Sequence, residues 1–126
     1  MNAKATSFDG LERVFHEPNR MAILSVLCTQ RNGMPFTELR DRCGLTDGNL
    51  SRHIKTLEAE GVVRCTKAFV NDKPRTTVML SSDGTRRFQA YLDILAGLLK
   101  QTKDAMAAEA RHPARPSQDP VRMALT

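Results

Sequence analysis

At 126 residues the chain has room for one domain around a single core, burying roughly two-thirds of its unfolded surface, and none for a second, catalytic domain. Nineteen Lys plus Arg against fourteen Asp plus Glu leave a formal charge of +5 and a pI near 9.5, which favours an anionic partner such as nucleic acid. The longest apolar run, Met21 to Cys28, is broken by Ser25 and is too short to span a bilayer, and the N-terminus lacks a signal-like apolar segment, so no membrane and a cytoplasmic location are expected.

The cysteines, Cys28, Cys43 and Cys65, lie singly in apolar patterns and read as reduced core residues. No close Cys or His pair occurs, and His16, His53 and His112 are scattered, so neither a metal nor a cofactor is expected. Only Cys65, between Arg64 and Lys67, has cationic neighbours that could activate a thiol, and packing is the expected role there too.

In chain order, Phe8 to His16 places Leu11, Val14 and Phe15 at helical spacing, and Pro18 suits the first turn of a second helix carrying Ile23, Leu24 and Leu27. Gly33 and Pro35 punctuate the chain. Phe36 is expected as a strand fragment, and Thr37 as the cap of a third helix with Leu39 and Cys43 inward. Gly44 supplies a left-handed stop, Leu45 plugs the core, and Thr46 or Asp47 caps a fourth helix that runs to Glu60 and ends at Gly61. The stretch from Phe36 to Val63 is thus a helix-turn-helix, a common reader of duplex DNA. Beyond Gly61 the apolar period changes to two, and the polar stretch Asn71 to Arg75 predicts a β-hairpin, or wing. Pro74 is placed near its tip because it cannot donate to a ladder, with Lys73 and Arg75 in a solvated loop. Ser81 or Ser82 then caps a long final helix to about Met106, and residues 109–126, rich in proline, read as a flexible tail behind a 1–108 DNA-binding domain.

The fourth helix carries an apolar edge of Leu50, Ile54 and Leu57 opposite Asn49, Ser51, Arg52 and Lys55. Its first turn, with Thr46, Gly48 and Ser51, suits phosphate: hydroxyls and amides donate, and Gly48 lets the backbone approach closely. Asn49 and Arg52 are the candidate base readers, since an amide pairs both ways with adenine and a guanidinium grips guanine O6 and N7. Lys55, and Arg40 or Arg42 on the preceding helix, are candidate phosphate contacts, and Asp47 is a cap before it is a base contact. His53 borders the apolar edge and reads as a packed histidine. On the wing, Arg75 is a candidate for the minor groove and Lys73 for the backbone.

On the final helix Phe88, Leu92, Leu95, Leu99 and Met106 form one stripe, which Tyr91, Ile94 and Leu98 widen. That is more apolar surface than one small core needs, so a homodimer is expected, with the first helix contributing.

These motifs, namely Leu45 to His53 with its Leu-Thr-x-x-x-Leu-Ser-x-His pattern, Lys73 to Thr76 as Lys-Pro-Arg-Thr, and the following SSDGTRRF, resemble the winged helix-turn-helix regulators of the multiple-antibiotic-resistance regulator (MarR) superfamily, in its short winged-helix branch. The resemblance runs from about Phe8 to Leu99. It implies a mainly α fold with a small β-hairpin and a long C-terminal dimerisation helix. It also implies a homodimeric transcriptional regulator of double-stranded DNA, a repressor by expectation. Ser81 stands where the family often has threonine, and either caps a helix. A small-molecule effector in a crevice near Phe8 and Tyr91 is conceivable by analogy, with no binding residues assigned.

The alternative is a winged-helix module that binds protein, which the polar and basic face of the fourth helix disfavours. Catalysis is not expected, because no nucleophile with a base, paired carboxylates or phosphate loop occurs. RNA binding would want aromatic platforms, and five Phe and one Tyr mostly sit in apolar patterns.

Overall fold

The computed structural model describes residues 11–111. After a 3₁₀ turn at Arg13–Phe15 come helix α1 (Pro18–Leu27), strand β1 (Met34–Pro35), helices α2 (Phe36–Cys43) and α3 (Asp47–Ala59), strands β2 (Val63–Val70) and β3 (Lys73–Leu80), and helix α4 (Ser82–Ala110). The three strands form one antiparallel sheet in the order β1-β3-β2. The fold is a winged helix with a long C-terminal helix, as the residue pattern predicts.

The chain up to Ile94 forms one unit and the stretch from Leu95 onward a second. In the first unit, Leu24, Leu27, Leu39, Leu50, Leu57 and Val78 are fully or almost fully buried, and each such side chain contributes about 1.5–3 kcal/mol of transfer free energy. Phe15, Phe88 and Tyr91 complete this core as a cluster with ring centroids 5.3–6.1 Å apart. The second unit is the rest of α4, where Leu99 and Met106 stand in water.

Several expectations change. Within the described residues the first helix is only the 3₁₀ turn; Phe8, like the tail residues 112–126, lies outside them. The strand fragment is Met34–Pro35, paired with Val78 and Thr77, so α2 starts at Phe36 and Thr37 lies in its first turn without capping it. The cap is Pro35, which needs no N–H there, two residues before the expected Thr37. The cysteines are not core: Cys28 is exposed and Cys43 and Cys65 are half-buried. Partial desolvation raises all three thiols above their ordinary value, and Glu58 adds to the rise at Cys65, so Lys67 does not activate it. Leu45 is half-buried, so it only partly plugs the core.

The wing is longer and tighter than the polar stretch suggests. A two-residue turn, Asn71 at φ 54 and Asp72 at φ 64, joins β2 directly to β3, so Lys73, Pro74 and Arg75 are strand residues paired with Val70, Phe69 and Ala68. Both turn residues belong to types that tolerate the left-handed region, which the twist-matched turn requires. Pro74 fits because pairs alternate between bonded and non-bonded along an antiparallel ladder. The second pair from a two-residue turn is non-bonded, so an N–H at Pro74 would point away from β2.

Candidate nucleic-acid interface

Helix α3 is set by its two ends. At the N-terminus Gly44 closes α2 in the left-handed conformation (φ 65), and the Thr46 Oγ1 accepts from the Asn49 backbone amide at 3.1 Å, which makes Thr46 the cap. Asp47 has a different task. Its carboxylate accepts from Arg40 Nη1 at 2.8 Å while Arg40 Nε donates to Asp41 at 2.9 Å, clamping α2 to the start of α3. Arg40 is thus paired with two exposed carboxylates, for which a phosphate would have to compete. Arg42 lies 3.1 Å from Glu38, an exposed pair that water and salt weaken.

The C-terminal end of α3 is held by Ser81, the cap expected from the sequence, and by Gly84 and Arg87, whose role the linear pattern does not disclose. Ser81 Oγ donates to the Gly61 carbonyl at 2.6 Å and accepts from the Gly84 amide at 2.8 Å, so one hydroxyl joins the end of α3 to the start of α4. Gly84 sits so close to Val62 that a Cβ there would overlap the Val62 carbonyl oxygen. Arg87, 19% exposed, donates to Glu12 at 2.6 and 3.1 Å, to the Glu60 carbonyl at 2.8 Å and to Asp83 at 3.2 Å, and lies over the Phe15 ring. Glu12 and Asp83 hold this guanidinium firmly in its charged form. The contacts fix where α3 ends relative to α4.

Between these anchors Leu50, His53, Ile54 and Leu57 are buried, and the opposite edge faces solvent. Gly48 is exposed, and a Cβ there would meet nothing, so packing does not demand glycine at that position. Asn49 and Ser51 are half-buried and Arg52 and Lys55 exposed. Arg52 Nη2 donates to Asn49 Oδ1 at 3.0 Å, bringing the two candidate base readers into contact. That bond orients the guanidinium and leaves the Asn49 amide protons and most of the Arg52 donors directed elsewhere. On the wing, Lys73 and Arg75 are exposed on one face of β3, and Arg75 lines a groove with Thr37 and Phe36 at the first turn of α2.

Among the described residues Arg40, Arg42, Arg86, Arg87 and Lys100 form ion pairs, whereas Arg52 and Lys55 on α3, Arg64, Lys67, Lys73 and Arg75 on the wing, and Arg13, Arg20, Arg31, Lys103 and Arg111 elsewhere form none. Six of these unpaired cations are concentrated on α3 and the wing. Arg64 and Lys67 are additions that the tip-centred sequence reading missed, because it did not extend β2 into the wing. The same residues hold no group of His, Cys, Asp or Glu that could bind a metal ion, and no helix long and apolar enough to cross a membrane.

Known proteins agree with this geometry. The model of the winged helix DNA-binding domain family matches residues 19–99. An uncharacterized protein of Methanocaldococcus jannaschii is 30% identical over 83 residues, 64% of this chain and 86% of that protein. Among solved structures, a transcriptional regulator homologue from Pyrococcus horikoshii OT3 superposes with a TM-score of 0.70 at 27% identity, covering 81% of this chain and 98% of that one. A regulator described as of the MarR family, from Enterococcus faecalis V583, superposes at 0.62 with 20% identity, covering 88% and 96% of the two chains, a likeness of fold.

Proposed function

We propose, on the premise that this chain belongs to the family of winged helix DNA-binding domains and has a MarR-type architecture, that it is a transcriptional regulator reading duplex DNA as a homodimer. Each α3 lies in a major groove and each wing reaches the flanking minor groove or backbone. The observation that carries this reading is the basic outer surface of α3 and the wing, where Arg52, Lys55, Arg64, Lys67, Lys73 and Arg75 have no carboxylate partner among the described residues. Charge left unpaired on one set of elements repels itself and is stabilised by a polyanion.

Roles follow from placement. The Thr46 hydroxyl, its oxygen occupied by the Asn49 amide, keeps its proton to donate to phosphate, and Gly48 admits the backbone beside it. Ser51 adds a second hydroxyl. Arg52, aligned by Asn49, reads guanine, and the Asn49 amide reads a neighbouring base. Lys55, Lys73 and Arg75 supply phosphate and minor-groove contacts. Repression by occupying the operator is the sign of regulation this design suits. The exposed Leu99 and Met106, seven residues apart on α4, supply the seam for a second copy.

The test is Arg52→Ala on a duplex selected by the chain and on its single-base variants. Binding to the selected duplex should weaken by about 1–3 kcal/mol and discrimination should vanish at one base pair per half-site, whereas Lys73→Ala should weaken all duplexes alike. Equal losses for Arg52→Ala on every duplex would make it a phosphate contact instead.

A further inference from the structure

Among the described residues the large apolar side chains left exposed are Phe69, Val70, Leu99 and Met106. The last two belong to the seam on α4. Phe69 and Val70 are neighbours at the tip of the wing, and no role assigned so far uses them. Phe69 is 78% exposed, a whole aromatic ring in water at a position that packing inside the domain does not require.

The register defines the shape of that tip. Phe69 stands opposite Pro74 and Val70 opposite Lys73, so Phe69 and Pro74 share one face of the ribbon and Val70 and Lys73 the other. Lys67 follows two residues behind Phe69 on its face, and Arg75 two residues behind Lys73 on its own. The turn beyond contains only Asn71 and Asp72. The result is a thin blade with an apolar pair, Phe69 and Val70, just behind a polar turn, and cations on both flat sides, none of them in an ion pair among the described residues. Its complement is a narrow slot with anionic rims and less polar walls. The minor groove of duplex DNA is such a slot, about 6 Å wide, with a row of phosphates on either side and deoxyribose between them and the bases.

We propose that Phe69 is a wedge: its ring enters the minor groove flanking the site of α3, packs against deoxyribose and partly unstacks one base step, while Lys67 and Lys73 meet the phosphates on the two rims. This rests on the duplex-DNA reading and adds to it a sequence preference without base hydrogen bonds. Flexible pyrimidine–purine steps open most easily and are favoured under the wing.

The experiment uses the full chain and a duplex it selects from a random-sequence pool, with 2-aminopurine placed in turn at each flanking position. The wild-type chain should raise the fluorescence at one flanking step per half-site. Phe69→Ala should lose that signal and bind about tenfold more weakly, with base preference under α3 and thermal unfolding unchanged; Phe69→Leu, which keeps an apolar wedge, should retain part of both. Wild-type binding without a fluorescence rise, or an unaltered rise and affinity in Phe69→Ala, overturns the wedge alone. A full chain that selects no duplex overturns the DNA reading and the wedge together.

Discussion

Arg40 and Arg52 are the same residue type twelve positions apart, each on a helix of the helix-turn-helix, and they have opposite fates. Arg40 meets Asp41 and Asp47 across the α2–α3 turn, while Arg52 meets only the neutral Asn49. Composition cannot separate them, because Asp47, the second partner of Arg40, is brought near by the Gly44 turn and not by sequence spacing. The eight proposed DNA contacts follow from helix face and side-chain chemistry, which are legible in a linear pattern. The capping role of Ser81 is legible too, but its bond to Gly61 and the contacts of Gly84 with Val62 and Arg87 with Glu12 are not, since those partners are 20 to 75 positions away. Gly84 gives the sharpest test at this scale. Gly84→Ala should gain about 1 kcal/mol in helix propensity and still destabilise by about 1–3 kcal/mol net, as α4 is pushed off Val62. Chemical denaturation of the two proteins measures this; an equally stable variant would show that the contact is slack.

At the scale of elements, the wing shows where pattern reading stops. A run of polar residues with a proline reads as a loop, yet pairing in a ladder depends on which way each N–H points, and that follows from turn length. With a two-residue turn, Pro74 sits where no donor is needed and the strands reach Val70 and Lys73. The helices were more legible, because their starts and stops are local: Pro18 opens α1, Glu17 accepts from the Arg20 amide at 2.7 Å, and Gly44 closes α2. The wing carries a single carboxylate, Asp72, among Arg64, Lys67, Lys73 and Arg75. Asp72→Asn preserves a residue that tolerates positive φ and removes the one repulsion a phosphate would meet there. Duplex affinity at low salt should rise by a few fold, on the order of the energy of one surface charge contact, with stability unchanged. Unchanged affinity would place the wing tip away from the backbone.

For the whole molecule, the apolar surplus on α4 that periodicity revealed is partitioned by burial. Phe88 and Tyr91 are fully committed to the core, Leu92 to Leu95 are half-buried apart from the exposed Asp93, and Leu99 and Met106 are left in water at 53% and 67%. Tyr91 is held further by His16 Nδ1, 2.9 Å from its hydroxyl, and by the Met21 sulfur at 3.6 Å. It is therefore a core residue, and its burial raises its phenol above the ordinary value. Replacing Leu99 and Met106 together by serine should leave the fold up to Ile94 intact and shift the solution mass from two chains toward one. A variant that keeps the mass of the wild-type chain would place the seam elsewhere.

Duplex recognition itself is tested most directly by titrating the chain against a selected duplex and a scrambled one at 50 and 200 mM salt, with the mass of each complex recorded. If two chains together neutralise about six to ten phosphates, affinity for the selected duplex should fall by roughly 10³ to 10⁵ over that range, in a complex containing two chains, while the scrambled duplex binds weakly throughout. Binding that ignores both salt and sequence would contradict the assignment of α3 and the wing to DNA.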